Sequence, residues 1–172
     1  MNRYIVPLLV LLALASGCSD SDDKFNEKLM AAVTEGEVGP QGFKTIQLAD
    51  LTDFDWETMY YFQPNEDYKA ISHAIGFKWT GDPVKHGYRR LLFVKGEQVV
   101  SYTDYDYEEL PLFVYGCQDD KWVYPKGRAE FASFKYCSGT DSSAVYAFIP
   151  VRCIGNIQEL MENTCPEGTE AE

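Results

Sequence analysis

The first eighteen residues determine how much of this chain is available to fold, and in which compartment it folds. Tyr4–Ala15 is an apolar run of twelve residues, preceded by the positive charges of the amino terminus and Arg3. A membrane-spanning helix needs about 20 apolar residues, so this run is too short to cross a bilayer. It has the length of a signal-peptide core. We therefore expect residues 1–17 to be removed, and the remaining chain to fold under oxidising conditions.

The apolar run ends in Leu14-Ala15-Ser16-Gly17-Cys18, which resembles the lipobox of bacterial lipoproteins. The small residues Ser16 and Gly17 let a peptidase approach the chain closely. The resemblance implies cleavage before Cys18 and lipidation of its thiol, often with acylation of the new amine as well. Ala15 stands where leucine is most usual. The alternatives are an ordinary signal peptide with a chance cysteine, or a buried apolar helix.

Residues 18–23 are expected to form the acylated cysteine and a short polar tether. More than one acyl chain would anchor the protein firmly, because each buried CH₂ contributes about 0.8 kcal/mol. In Gram-negative lipoproteins, aspartate directly after the acylated cysteine is associated with retention in the inner membrane. Ser19 stands at that position. In a Gram-negative host this favours the outer membrane, with the folded part facing the periplasm.

The charge of the chain restricts its partners. It carries a formal net charge of -12, from 27 acidic and 15 basic residues. A surface this acidic repels phosphate backbones, which argues against nucleic acid as a partner. A basic protein would be attracted to it. The alternative is that the charge only keeps the protein soluble.

Four cysteines remain after Cys18, and an even number in an exported domain predicts two disulfides. Cys137 and Cys153 lie on opposite arms of a predicted hairpin, one near its turn and the other near its open end. They would be roughly 30 Å apart, far beyond the ~7 Å limit for a bridge. We therefore expect the pairs Cys117–Cys137 and Cys153–Cys165. The spacings contain no CxxC pair and no neighbouring histidine, so zinc is disfavoured and no cofactor is expected.

Helices are predicted in two or three short stretches. Apolar residues that recur every four positions predict a helix over Asp23–Val33. Asn65 is a suitable N-cap for a second helix, which Gly76 would end. A third helix is expected over Asn156–Asn163.

Strands are predicted from runs of aromatic and β-branched residues between turn signals. Aromatic residues make up 15% of the chain, which favours β-structure. We expect an α+β fold, mainly an antiparallel β-sheet of six to nine strands, as one domain over residues 24–166 with a frayed polar tail over 167–172. Three predicted strands stand alone: Thr45–Leu51, Trp56–Phe62 and Phe77–Thr80. Six more form three predicted hairpins: Tyr88–Val94 with Gln98–Tyr102, Leu112–Tyr115 with Lys121–Tyr124, and Phe131–Cys137 with Ser143–Cys153.

The stretch from Ile46 to Tyr102 resembles small exported bacterial proteins that carry the phrase FDWDKVYVFxPY, a short helix and then LGFxW. The resemblance covers about a third of the chain and implies topology and export, without any activity or catalytic residue. Its large aromatic residues are expected in the core. The matching residues are Phe54-Asp55-Trp56, Tyr60, Phe62, Pro64 and Ile75-Gly76-Phe77-Lys78-Trp79, whereas Glu57-Thr58 departs from the phrase.

Motifs of enzyme catalysis are missing from the sequence. The chain has two histidines, His73 and His86, and no nucleophile elbow, zinc-protease motif or phosphate-binding glycine loop. We therefore expect no enzyme activity. A pair of catalytic carboxylates needs no local motif, so a hydrolase stays open as an alternative.

The most unusual local feature is an acidic, tyrosine-containing segment between the predicted β-hairpins. In an extended chain its acidic residues would alternate with its tyrosines. We consider three roles: an edge that discourages association between sheets, a surface that binds a partner, and a calcium site, since carboxylate oxygens suit this ion. Asp53 and Asp55 are a second acidic pair. No EF-hand spacing is present. The candidate partner-binding residues are Asp104, Tyr105, Asp106, Tyr107, Glu108 and Glu109.

Together these features favour a membrane-anchored binding module. An acidic lipoprotein without catalytic motifs suits an immunity or inhibitor protein that captures a basic protein in the periplasm. The alternatives are a structural lipoprotein that maintains the envelope, and a hydrolase.

Overall fold

The computed structural model describes residues 22–117, 122–138 and 143–156, where eight strands form two four-stranded sheets alongside three α-helices. The α+β class is confirmed, with the strands divided between two sheets where the sequence predicts one. Cys18, residues 1–17, most of the polar tether, most of the third predicted helix and the predicted tail lie outside the described residues. The elements are α1 Asp23–Thr34, β1 Lys44–Gln47, α2 Leu48–Leu51, β2 Thr58–Phe62, α3 Tyr68–Ile75, β3 Tyr88–Lys95, β4 Gln98–Asp106, β5 Leu112–Val114, β6 Val123–Pro125, η1 Lys126–Arg128, β7 Glu130–Ser138, β8 Ser143–Pro150 and η2 Val151–Asn156.

One sheet has the strand order β4-β3-β2-β6 and is antiparallel throughout. We call it sheet B. The predicted hairpin between β3 and β4 is confirmed, with its turn at Gly96, where φ is +56°. Such a positive φ favours glycine. The long hairpin places the end of β4, which carries the acidic segment, beside the start of β3.

The second sheet, sheet A, has the order β1-β7-β8-β5. The β7–β8 hairpin is confirmed, but the predicted hairpin of Leu112–Tyr115 with Lys121–Tyr124 is wrong. β5 instead runs parallel to β8, and β6 pairs with β2 of the other sheet. Leu112 and Val114 are fully buried. Pairing with β8, a central strand of sheet A, buries more apolar surface of β5 than an exposed local hairpin would, and this burial stabilises the fold.

The inner faces of the two sheets share one core. Helix α1 contributes Phe25, Leu29 and Val33, which are all buried and confirm the predicted spacing of its apolar face. Trp56 is buried in the same cluster. Burial of these side chains is the main favourable contribution to the free energy of folding, at about 25 cal/mol per Å² of apolar surface removed from water.

The outer face of sheet B is covered by α3, through Ile71 and Ile75. The N-cap of α3 is Asp67, whose carboxylate accepts from the amides of Lys69 and Ala70. The prediction of Asn65 as the cap is wrong. The positive φ of Asn65, +66°, places it in the turn before the helix.

Two predicted strands are also corrected. Phe77–Thr80 forms no strand, because Trp79 turns inward onto α3 and sheet B instead of pairing along an edge. In the predicted strand Thr45–Leu51, only the first half is extended. The chain enters α2 at Leu48, whose fully buried side chain joins the shared core.

The disulfide in the described residues joins Cys117 to Cys153, with their Cα atoms 6.0 Å apart. Both predicted bridges are therefore wrong, since each uses one of these two cysteines. The reason is the parallel pairing of β5 with β8. Val114 lies opposite Phe148, so continuing both strands brings Cys117 towards Cys153. Cys137 is not a free thiol. Cys165 lies outside the described residues, and a second bridge stays a prediction.

Candidate functional site

The acidic segment lies at one end of sheet B, where β4 finishes and the chain turns. Asp104 and Asp106 lie in β4, opposite Arg90 and Tyr88 of β3. Their side chains are on the outer face of the sheet, as alternation along a strand requires. Tyr105 lies between them in β4, and Tyr107, Glu108 and Glu109 form the turn that follows the strand.

Asp104 is paired with a buried cation. Arg90 donates from Nε and Nη2 to the two carboxylate oxygens of Asp104, at 2.6 and 2.7 Å, and from Nη1 to the carbonyl of Asp82 at 2.7 Å. Arg90 is only 1% exposed, and the side chain of Asp104 is 16% exposed. A two-pronged contact of this kind is the strongest form of ion pair in a protein.

Aromatic rings enclose this ion pair. The guanidinium of Arg90 lies 4.5 Å from the ring centre of Tyr102 and 5.8 Å from that of Trp79. Gly81 leaves room for Trp79, because a Cβ at this glycine would overlap the indole ring. Arg89 and Arg90 are consecutive in a predicted strand and must point to opposite faces of the sheet, but the local pattern does not show that Trp79 and Tyr102 cover the face that carries Arg90.

A small cavity of about 240 Å³ opens beside the pair. Both polar and aromatic side chains border it. Lys85 and Tyr88 stand at its rim, with the lysine nitrogen 5.9 Å from the centre of the tyrosine ring. The residues lining it are Asp82, Pro83, Lys85, Tyr88, Arg90, Tyr102 and Asp104.

The three remaining carboxylates of the segment form a group that we call the acidic rim, consisting of Asp106, Glu108 and Glu109. Glu108 and Glu109 are exposed, and Asp106 is partly exposed. The Asp106 carboxylate accepts from the amide of Glu108 at 2.9 Å, which fixes the turn. The negative charge of Asp106, followed by smaller contributions that include Glu109, raises the pKa of Tyr88.

The two tyrosines of the segment play different parts. Tyr105 is 1% exposed, and its hydroxyl donates to the carbonyl of Leu112 at 3.0 Å, which ties sheet B to β5 of sheet A. Burial raises the pKa of Tyr105 well above its ordinary value. Tyr107 is partly exposed, and its ring lies 4.6 Å from the guanidinium of Arg89. Tyr105 therefore faces the core, and Tyr107 remains accessible.

The second acidic pair, Asp53 and Asp55, is not brought to the acidic rim. Asp53 contacts Lys24 and Lys28, and Asp55 contacts Lys95 and Lys126. Hydrogen bonds from these lysines lower the pKa of both carboxyl groups to about 2. In the described part of the chain, no cluster of three or more potential metal ligands is present.

The two histidines are exposed and lie in different parts of the fold. His73 is exposed in the last turn of α3, and His86 is exposed in the loop before β3. Neither contacts a serine or carboxylate in the hydrogen bonds described.

A larger concavity, of about 630 Å³, lies elsewhere, between the end of α1, β1 and α2. It combines apolar side chains with the carboxylates of Glu37 and Asp50. The sequence analysis did not identify it, because residues 36–43 read only as a glycine-containing break after α1. Among the described residues, no helix is long and apolar enough to cross a membrane.

No protein-family model, curated protein or solved structure matches this chain.

Proposed function

We propose that this chain is an exported lipoprotein, anchored through Cys18, that binds a basic protein partner without catalysing a reaction. In this proposal it serves as an immunity or inhibitor protein on the periplasmic side of the outer membrane. The observation that carries the proposal is the acidic rim, whose three carboxylates stand together at one end of sheet B.

The neighbouring contacts support a binding role for this rim. Arg90 neutralises the charge of Asp104, and this ion pair links the end of β4 to β3. In the described part of the chain, no salt bridge involves Asp106, Glu108 or Glu109, and the last two are exposed to the solvent. Charge of this kind steers an oppositely charged partner and raises its association rate.

The aromatic residues beside the rim suit a protein partner. Tyr88 lies opposite Asp106 on the outer face of sheet B and is partly exposed, whereas the ring of Tyr107 contacts Arg89. Partly exposed tyrosines next to charged groups are frequent in the residues that dominate binding energy. A lysine or arginine of the partner would find a carboxylate and a ring face within one patch.

The test is affinity capture of the membrane-anchored protein, tagged at its C-terminus, from its own cells. We expect one abundant basic protein to be recovered with the unmodified chain. The variant Asp106→Asn/Glu108→Gln/Glu109→Gln should recover at least tenfold less of it, because the attracting charge is removed while side-chain size is kept.

A control variant changes the same number of charges elsewhere. Glu27→Gln/Glu97→Gln/Glu130→Gln replaces three exposed carboxylates away from the rim and should retain the partner. Equal loss from both variants would show that only net charge matters. Recovery of envelope-assembly proteins alone would favour the structural role, and an empty capture would reject the proposed function.

A further inference from the structure

Among the described residues, β1 is the outermost strand of sheet A, and one edge of its backbone pairs with no other strand. β1 pairs with β7 in the register Lys44 to Ser133 through Gln47 to Glu130. The amide of Leu48 continues this register by donating to the carbonyl of Ala129 at 3.0 Å. Hydrogen-bonded residues alternate in an antiparallel pair. Lys44 and Ile46 therefore bond to β7.

It follows that the backbone groups of Thr45 and Gln47 point away from β7. The loop before β1 covers only the first part of this edge, where the carbonyl of Phe43 accepts from the amide of Gly39 at 3.1 Å. The carbonyl of Gln47, as the N-cap residue, begins α2. The N–H and C=O of Thr45 and the N–H of Gln47 bond no backbone neighbour in the described residues.

The 630 Å³ concavity lies along this same edge. Thr45 and Gln47 line it together with apolar side chains that include Phe43 and Leu51. An edge strand with open backbone groups beside an apolar depression is the arrangement that accepts an added strand. Specificity then comes from the side chains that enter the depression.

The charged residues around this concavity, called the groove below, indicate which chemical groups a bound segment would carry. Lys44 also lines it, but its ammonium donates to the carbonyls of Val33 and Glu35 at the end of α1. Its charge is thus held at the negative end of that helix. The carboxylates that remain in the groove are those of Glu37 and Asp50, and they would attract a cationic segment.

We propose that the open edge of β1 at Thr45 accepts an extended, lysine- or arginine-bearing segment of a protein partner as an added strand. This inference rests on the proposed binding function and adds a second contact to the acidic rim. The backbone edge supplies the hydrogen bonds, Phe43 and Leu51 supply the apolar contact, and Glu37 and Asp50 select for positive charge.

The test is selection of peptides from a random eight-residue display library on the purified, full-length mature chain. We expect the recovered peptides to alternate apolar with basic residues. Binding should slow hydrogen exchange of the Thr45 and Gln47 amides, because the added strand pairs with them. The strongest peptide is then synthesised and its affinity is measured for each variant.

Two substitutions at one position separate the backbone from the side chain. Thr45→Pro removes the outward N–H, at a position where an edge strand tolerates proline because that N–H faces away from its neighbour. It should weaken peptide binding more than tenfold. Thr45→Val keeps the N–H and the side-chain shape, so affinity should stay within twofold. Thermal unfolding of both variants checks that the fold is kept.

The charge of the groove is tested by Glu37→Gln/Asp50→Asn, which should weaken the peptide at least fivefold. The acidic-rim variant serves as its control and should leave peptide affinity unchanged. If Thr45→Pro binds as well as the unmodified chain, if the amides are not protected, or if no peptide is recovered, the inference is wrong. Capture of a basic partner would then still support the proposed function by itself.

Discussion

Two groups of aspartates in this protein contact basic residues, and they differ in burial. Asp104 forms an ion pair with Arg90, whose guanidinium contacts the rings of Tyr102 and Trp79 and is almost completely buried. Asp53 and Asp55 contact lysines whose side chains are between 34% and 71% exposed. The two groups look alike in the sequence, as acidic residues near turns, but their environments give them different energetic roles.

Burial determines what each group contributes. Removing a charge from water costs several kcal/mol, so a buried ion pair is strongly coupled, and loss of one partner leaves the other uncompensated. Exposed pairs are weakened by solvent and salt, and many contribute little. We therefore expect the Arg90–Asp104 pair to maintain the geometry of the β3–β4 end, whereas the lysine contacts mainly alter the titration of Asp53 and Asp55.

The largest effect is expected from Arg90→Met. The substitution keeps much of the side-chain volume but leaves the Asp104 carboxylate without its cation, and it should lower the free energy of unfolding by about 3–5 kcal/mol. Urea unfolding of the purified chain measures this.

Two controls belong with this substitution. Arg89→Met changes the neighbouring, partly exposed arginine and should cost much less. The double variant Arg90→Met/Asp104→Leu should recover part of the loss, because no buried charge remains unpaired. A loss in the single variant no larger than that of Arg89→Met would remove the distinction between buried and exposed pairs.

A smaller effect is expected from Arg90→Lys. Lysine keeps the charge but cannot make the two-pronged contact with Asp104 while also reaching the carbonyl of Asp82. Loss of a hydrogen bond to a charged group costs about 1.5–3 kcal/mol, and the same unfolding experiment should place this variant between Arg90→Met and the unmodified chain. Stability equal to that of the unmodified chain would mean that charge alone, without the fixed geometry, holds the pair.

The sequence predicts some of the local elements correctly and the pairing between distant strands poorly. Helix α1 and the β3–β4 hairpin depend on spacing and turn residues within one segment, and both are confirmed. The parallel pairing of β5 with β8, and with it the Cys117–Cys153 bridge, depends on which strand buries Leu112 and Val114 best. That choice is made by tertiary packing, which no local pattern records.

The same limit applies to the candidate site. The acidic segment was visible as a run of charged and aromatic residues, but alternation alone could not show that Asp104 meets Arg90 or that Tyr105 bonds the Leu112 carbonyl. The open edge of β1 was hidden as well. It exists because β1 is the outermost described strand of sheet A and pairs only with β7, which depends on the pairing of distant strands.

The smallest effect concerns the exposed group, and it is best measured by titration. The pKa values of Asp53 and Asp55 are lowered to about 2 by hydrogen bonds from their lysines, against about 3.9 in an unfolded chain. Because the folded pKa is the lower one, any stabilisation is present above about pH 4 and is lost as the pH falls through about 2.

Carbon NMR of the side-chain carboxyl groups at low ionic strength should therefore show both aspartates still ionised at pH 3. In 1 M KCl the pKa values should rise towards 3.9, since salt screens exposed contacts. Lys95→Met should raise the pKa of Asp55 and leave that of Asp53 unchanged, because the two aspartates contact separate lysines. Values near 3.9 at low salt, or insensitivity to 1 M KCl, would contradict the assignment of these contacts as solvent-exposed ion pairs.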